Sequence, residues 1–332
     1  MPEIDFPGHL NNLSDDQSDA LNSLWLLLLR YPDAELMEEF WRQLAIDNPD
    51  ILLLRFLRAR KWNVEAACSM FLQALKWRQS FKVHQLMLQG ERSIPQAILE
   101  SGKGIYWGVD KHERLVAYFR PGLHDWRAQS LTDTCRHIVY QTEIGRRLFS
   151  PGAETLLVIF DLQGIRPWSL DVECLRFVIS CFQDYYPESL GPCLIINAPW
   201  IFFSFYRMIK GWICEDVANK IRFLNNPSEL KEYIDPEMLL QEYGGESPYR
   251  FEYIAPPLVD DKKPYDPAEV ELLINNAKGL AQELSKRGKR DETLIGELSK
   301  VYQQIDALTS PLNLYHRIGV LDENSKSIKW RK

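Results

Sequence analysis

Paired cysteines are missing from this sequence. Its six cysteines, Cys68, Cys135, Cys174, Cys181, Cys193 and Cys214, are scattered among apolar neighbours with no C-x-x-C spacing. They read as reduced core residues of a cytoplasmic protein and not as a disulfide or metal framework. Long apolar runs are missing too. LWLLLL at 24–29 falls far short of the ~20 residues that cross a bilayer. The acidic start MPEIDFPGHLNNLSDDQSD has neither the basic region nor the apolar core of a signal peptide. Positive charge is in deficit: the net charge is −7, which argues against a general nucleic-acid binder and confines any anion site to a local cluster of cations.

Reactive groups are equally scarce. The sequence contains no G-x-S-x-G elbow, no H-E-x-x-H, no Walker A loop and no G-x-G-x-x-G opening a helix after a strand. GKGIYWG, with Gly102 and Gly104, precedes a strand pattern and reads as a turn. The six histidines are dispersed. His112 and His124 near the hairpin and His137 on a helix read as surface or part-buried residues, with an axial haem role for one of them left open. Asp161 and Asp184 end apolar elements, a position used by active sites and by plain polar stops alike. With no nucleophile or metal cluster beside them, no enzyme is expected.

What is present is a globular composition, 45% hydrophobic and 26% charged over 332 residues, enough for two domains or for one with appendages. Residues 15–47 give two helical patterns split by Pro32. Asn48 caps a third, PDILLLRFLRARK, with Pro49 in its first turn. Leu52, Leu53, Phe56 and Leu57 form its apolar face, and Arg55, Arg58, Arg60 and Lys61 crowd its end, where the helix dipole favours cations. Asn63 opens a fourth, VEAACSMFLQALKWRQSF. From 103 the pattern changes. GIYWGVD and LVAYFR flank a turn as a β-hairpin. A helix, SLTDTCRHIVYQTEIGRRLF, then a strand, TLLVIFDL, a helix, LDVECLRFVISCFQDYY, and a strand, CLIINAP, follow. Such alternation implies βαβ units and a mostly parallel sheet covered by helices. The fold class is therefore α/β with a helical N-terminal lobe. Two further amphipathic patterns near 266–287 and 291–309 form an arm expected to pack back on the lobes, giving divisions at 1–92, 93–255 and 256–332.

The stretch from 184 to 224 is the least ordinary. Behind the strand closed by Pro199 comes IFFSFYRMIKGWI, apolar nearly all round, with Ser204, Arg207, Lys210 and Gly211 as a narrow polar edge. At ~1.5 Å per residue it reaches about 20 Å, short of the ~30 Å hydrocarbon thickness. It is either a buried core helix or one that meets lipid. Arg207 and Lys210 weigh against complete burial.

RFLRARKW at 55–62, followed by a helix ending in WRQSF, resembles the helical N-terminal lobe of CRAL-TRIO lipid-transfer proteins. VIFDLQGI at 158–165, YYPESLGPCLIINAPWIF at 185–202, then KGW, NKIRFL and GGESPY at 244–249 resemble the lipid-binding lobe in order and spacing. The likeness is to the fungal phosphatidylinositol-transfer branch and runs from about 20 to 321. It implies a non-enzymatic cytosolic protein, peripheral on membranes, holding one phospholipid between the sheet and a mobile gate helix, with no cofactor beyond that ligand. At ~0.8 kcal/mol per buried CH₂, two acyl chains of about 16 carbons would cost on the order of 20 kcal/mol exposed to water, so such a carrier needs a dry pocket and a lid.

By the same resemblance, gate and membrane contacts fall on Trp200, Ile201, Phe202, Phe203, Phe205, Tyr206, Ile209 and Trp212. Pocket lining falls on Tyr118, Trp168, Phe182 and Ile196, and the inositol-phosphate site on Arg60, Lys61, Glu188 and Lys220. Fixed cations suit a phosphodiester and a carboxylate accepts from inositol hydroxyls. Two positions depart from the family pattern. Val217 stands where the family has a threonine, which removes one phosphate contact unless Asn219 substitutes. Arg166, Pro167 and Trp168 stand where phosphatidylcholine carriers have small hydroxyl residues, so the second ligand is expected to be apolar, a sterol or isoprenoid. The alternatives are a carrier of a neutral hydrophobe or haem, and a lipid-sensing scaffold whose C-terminal helices recruit a lipid-metabolising enzyme such as a lipid kinase. A monomer with no nucleic-acid partner is expected.

Overall fold

Helix caps organise the N-terminal lobe. Ser14, Asp33, Asn48 and Asn63 each accept a backbone N–H from the first turn of α1 (Asp15–Leu29), α2 (Ala34–Gln43), α3 (Pro49–Ala59) and α4 (Val64–Phe81), satisfying donors that a helix start leaves without partners. The computed structural model describes residues 6–150, 152–257, 265–322 and 328–330, apart from the side chain of Ile201. The apolar stripes of the four helices meet around Leu24, Trp25, Phe40, Leu53, Leu57 and Phe71, all buried. Inside that core the Trp25 indole donates to Asp50 at 2.7 Å.

α5 (Val83–Gln89) and α6 (Gln96–Glu100) lead into the sheet, whose strands are β1 (Gly104–Val109), β2 (Leu115–Phe119), β3 (Leu156–Asp161), β4 (Leu190–Ile196) and β5 (Ile221–Phe223). They lie in sequence order, β1 antiparallel to β2 and the rest parallel. α7 (Leu131–Arg147), α8 (Val172–Ser180), α9 (Trp200–Ile209) and the short α10 (Glu215–Ala218) fill the crossovers that parallel strands require. The pattern read as one helix over 170–186 is α-helical only to Ser180 and ends in a wider π turn, Cys181–Tyr185, closed by Tyr186 N–H on the Cys181 carbonyl at 2.9 Å. That extra residue turns two tyrosines toward the N-terminal lobe. Tyr185 stacks on Trp77 with centroids 4.3 Å apart, and Tyr186 donates to Glu143 at 2.7 Å.

A buried ion network joins the lobes. Arg78 of α4 reaches Glu39 at 3.0 Å and Glu143 of α7 at 2.7 Å, and Arg146 reaches Glu143 at 2.8 Å and Asp47 at 2.7 Å. Burial opposes the Glu143 charge, but Arg146 and Arg78 outweigh it and hold the carboxyl far below the usual range. The C-terminal arm, α11 (Pro267–Arg287) and α12 (Glu292–Thr309), closes over the N-terminal lobe. Its Ala277, Leu284 and Leu298 lie in the same core as α1–α4, and Arg290 pairs with Asp50. After α13 (Leu314–Arg317) begins, Tyr315 accepts the Tyr106 N–H of β1 at 2.8 Å.

Candidate functional site

The two faces of the sheet are finished differently. Register places Phe119, Phe160, Ile195 and Phe223 in one row across β2 to β5, and Tyr118, Ile159 and Leu194 in the neighbouring row, which must face the other way because successive side chains alternate. The Tyr118 face is sealed: Tyr118, Ile159, Leu194 and Ile196 are all at 0% exposure, covered by Leu230, Ile234, Leu239 and Leu240. Tyr243 stacks on Tyr118 at 5.5 Å and donates to Asp161 at 3.0 Å. On the opposite face Phe119, Phe160, Ile221 and Phe223 are only half-buried.

α9 lies over that second face. Asn197, with φ of +54°, donates to Asp161 at 2.8 Å and turns the chain out of β4, and Pro199 sets the first turn of the helix. Helical periodicity then splits its side chains. Phe202 and Ile209 are buried, and Phe205 and Tyr206 half-buried. Phe202 packs with Ile195, Phe160 and Phe223, and Tyr206 meets Phe223 edge-on at 5.1 Å. Trp200 is 81% exposed, Phe203 48% and Met208 45%, and Ser204, Arg207 and Lys210 share the exposed face. The expected position Ile201 has its side chain outside the described residues. So the helix has an inner stripe on the sheet and an outer face that is apolar and cationic together.

The far end of this segment is tied to the helix before β4. Gln183 in the π turn accepts the Cys214 N–H at 2.8 Å and donates to the Trp212 carbonyl at 3.3 Å, while the Arg176 guanidinium of α8 lies 4.8 Å from the half-buried Trp212 ring. Sequence reasoning did not find Gln183 or Arg176, since neither stands in a motif.

Of the residues expected to line a pocket, Tyr118 and Ile196 belong to the sealed face. Phe119 and Ile195, one residue away, lie on the opposite face, and Asp161 fixes that register by taking Asn197 on one oxygen and Tyr243 on the other. Trp168 is half-buried with the Arg127 guanidinium 4.2 Å from its ring, and Phe182 sits 6.4 Å from Tyr186 beside the sheet core. Asp161 is thus structural, and Asp184, exposed, accepts from Ser180 at 2.8 Å.

The expected headgroup residues divide into two groups. Glu188 and Lys220 precede β4 and β5, adjacent strands, and their side chains pair at 3.8 Å with about a third of each exposed, 29% and 30%. The Lys220 carbonyl accepts the Cys193 N–H at 2.9 Å, so its backbone is fixed to the sheet. Arg60 and Lys61 are exposed where α3 ends, in a chain reversal with φ of +48° at Lys61 and +66° at Trp62. Trp62 N–H closes that end on the Leu57 carbonyl at 2.8 Å. Among the described residues no ion pair joins Arg60 or Lys61 to Glu188. Val217 is half-buried in α10, and the Asn219 carbonyl accepts from Arg222 at 2.6 Å.

A cavity of about 960 Å³ lies elsewhere, between the N-terminal lobe and the arm, where Met37, Trp41, Met87 and Ile305 meet the ion network at Glu39, Arg78 and Glu143. His84 in its wall is lowered to about 4 by burial and by Arg42 and Arg78. One group with metal-ligand chemistry, His124, Asp171 and Cys174, stands at the start of α8. Among the described residues no helix is long and apolar enough to cross a membrane.

Comparison with known proteins matches the CRAL/TRIO domain over residues 99–245 and the CRAL/TRIO N-terminal domain over residues 6–73. The chain is 33% identical over 306 residues to CRAL-TRIO domain-containing protein C3H8.02 of Schizosaccharomyces pombe, spanning 85% of this chain and 68% of that one. It is 35% identical over 242 residues to phosphatidylinositol transfer protein CSR1 of Eremothecium gossypii, spanning 70% of this chain and 56% of that one. The crystal structure of Sfh5 matches with a TM-score of 0.55 at 20% identity, over 71% of this chain and 89% of that one, a likeness of fold.

Proposed function

Because this chain belongs to the CRAL/TRIO family, we propose that it is a non-enzymatic carrier that binds phosphatidylinositol and exchanges it at membrane surfaces. One observation carries the reading. α9 covers a half-buried apolar sheet face with one stripe while its other stripe presents Trp200, Phe203 and Met208 beside Arg207 and Lys210. Apolar side chains flanked by cations suit contact with an anionic lipid interface. The half-buried Phe119, Phe160, Ile221 and Phe223 on one sheet face are the floor against which acyl chains would lie, under α9 as the gate. Glu188 and Lys220, at the other ends of the strands, would meet the headgroup: the lysine on the phosphodiester, the carboxylate on inositol hydroxyls. Arg60 and Lys61, exposed where α3 ends, are the further cations such a headgroup would call on.

The chemistry asked of the protein is shelter and orientation, with no bond made or broken. It requires no cofactor, and contact with the membrane is transient. The test is transfer of labelled phosphatidylinositol between liposomes by the purified chain, with lipid extraction and mass spectrometry of what it carries. Transfer together with recovered phosphatidylinositol supports the reading. A folded chain that neither transfers nor retains it overturns the reading. Val217, whose side chain offers a phosphate no hydrogen bond, favours a second reading, carriage of a neutral hydrophobe, in which the extract would hold a sterol or isoprenoid.

A further inference from the structure

We propose that His124, Asp171 and Cys174 form a binding site for a thiophilic divalent cation, zinc foremost. His124 follows the tight turn Pro121–Leu123, Asp171 is the N-cap of α8, and Cys174 lies in its first turn. One ligand atom from each lies within 4.8 Å of the others. His124 Nε2 is 3.2 Å from Asp171 Oδ2, close to the separation of two ligands that each sit about 2.0–2.2 Å from a tetrahedral zinc.

The local structure builds the site rather than merely permitting it. Asp171 Oδ1 accepts the Cys174 N–H at 2.9 Å, so the cap fixes the carboxylate and leaves its second oxygen for the ion. His124 Nδ1 is 3.2 Å from Gln129 Oε1, the acceptor that a metal-bound imidazole needs for its remaining N–H. The site is sheltered, with 9% of the His124 side chain and 14% of the Asp171 side chain exposed. Imidazole, carboxylate and thiolate are zinc donors, and three protein ligands leave the fourth position to water. Two features oppose a cation: the positive end of α8, and Lys103, whose Nζ lies 3.5 Å from His124 Nδ1 and 2.6 Å from Gln129 Oε1. The Asp171 carboxylate and the Cys174 thiolate supply two negative charges against them, and binding releases the thiol proton to water.

The consequence for the fold is a staple. It would join the loop before α7 to the start of α8, and α8 carries Arg176 at its middle and continues into the π turn with Gln183, which together hold the end of the α9 segment. The site does not depend on which lipid the protein carries.

The experiment titrates the metal-free full chain with Co²⁺ near neutral pH under reducing conditions. One equivalent should bind with a thiolate-to-cobalt absorption band, and zinc should displace it. Cys174→Ser should remove the band. Gln129→Ala should weaken binding roughly 10- to 100-fold. Asp171→Asn should weaken it further while the metal-free melting temperature holds, because Asn caps a helix as well as Asp. The exposed Cys214→Ser should change nothing. A wild-type chain without the band, or a band that survives Cys174→Ser, overturns the proposal.

Discussion

Replacing Lys220 by Ala separates headgroup recognition from stability. The Lys220–Glu188 pair is 3.8 Å long with 30% and 29% of its side chains exposed, and ion pairs so accessible to water contribute only about 0.2–1 kcal/mol. The fold should therefore survive, with a loss below ~1 kcal/mol. Binding should respond more strongly. A hydrogen bond to a charged group contributes about 1.5–3 kcal/mol, so losing the lysine from a phosphodiester contact should weaken phosphatidylinositol binding roughly 10- to 150-fold. The assay pairs transfer of labelled phosphatidylinositol between liposomes with a thermal melt of the same variant. Glu188→Gln is the companion: it breaks the same ion pair but keeps the cation, so it should retain more binding than Lys220→Ala. If Lys220→Ala transfers at the wild-type rate while its melt is unchanged, the headgroup assignment is wrong.

Five further outcomes follow from named residues. Trp200→Ser together with Phe203→Ser should slow lipid exchange and leave the melt unchanged, since Trp200 is 81% exposed. Phe202→Ala, on the inner stripe, should instead cost up to ~3 kcal/mol and reduce retained lipid. Gln183→Ala removes both hydrogen bonds to the Trp212–Cys214 segment, and stopped-flow exchange should become faster if that end of the gate limits opening. Glu143→Gln weakens the pairing of Arg78 and Arg146, and denaturant unfolding should show a loss of about 3 kcal/mol. Acid should act in the same direction. Glu143 is held below its ordinary value, so its contribution is complete above ~4.3 and lost as pH falls through the folded value. Burial holds His84 at about 4 and His137 at about 3, so the unfolded chain alone takes their protons below ~6.5. The melting temperature should fall progressively as pH drops from ~6.5; a melt independent of pH between ~7 and ~4 would refute the two histidine assignments.

The sequence spoke clearly where periodicity and caps agree. Asn48 with Pro49 and Asn63 open α3 and α4 where the pattern places them, and the hairpin and the βαβ alternation are visible in apolar runs separated by helical spacing. It spoke least clearly about direction across the sheet. LVAYF, LLVIFD and the end of β4 are continuous apolar runs, because these strands are covered on both faces. With no alternation to read, nothing local says whether Tyr118 or Phe119 faces α9, and a one-residue error moves the side chain through the sheet. The choice is made by distant partners: Tyr243, which claims both Tyr118 and Asp161, and Asn197, which takes the other Asp161 oxygen. The Gln183 clamp and the cluster of His124 with Asp171 are hidden for the same reason. Their partners are 31 and 47 residues apart in the chain, and only the π turn and the capped start of α8 bring them together.

The composition of α9 left burial and lipid contact open as rivals, and the two faces of the helix leave surface for each. Phe202 and Ile209 are buried among its described side chains, and at ~1.5–3 kcal/mol each they hold the helix to the sheet by about 3–6 kcal/mol. Trp200, Phe203 and Met208 point outward with comparable apolar surface. A bilayer that takes up the outer face therefore offers a gain of the same order as the burial that opening gives up. A helix sealed on all sides would have no such compensation and would stay shut, and one with a polar outer face would open only into water. Arg207 and Lys210, exposed among the outward residues, bias that exchange toward anionic surfaces. The near balance of the two faces, more than the apolarity of the segment, is what makes α9 suited to be a gate.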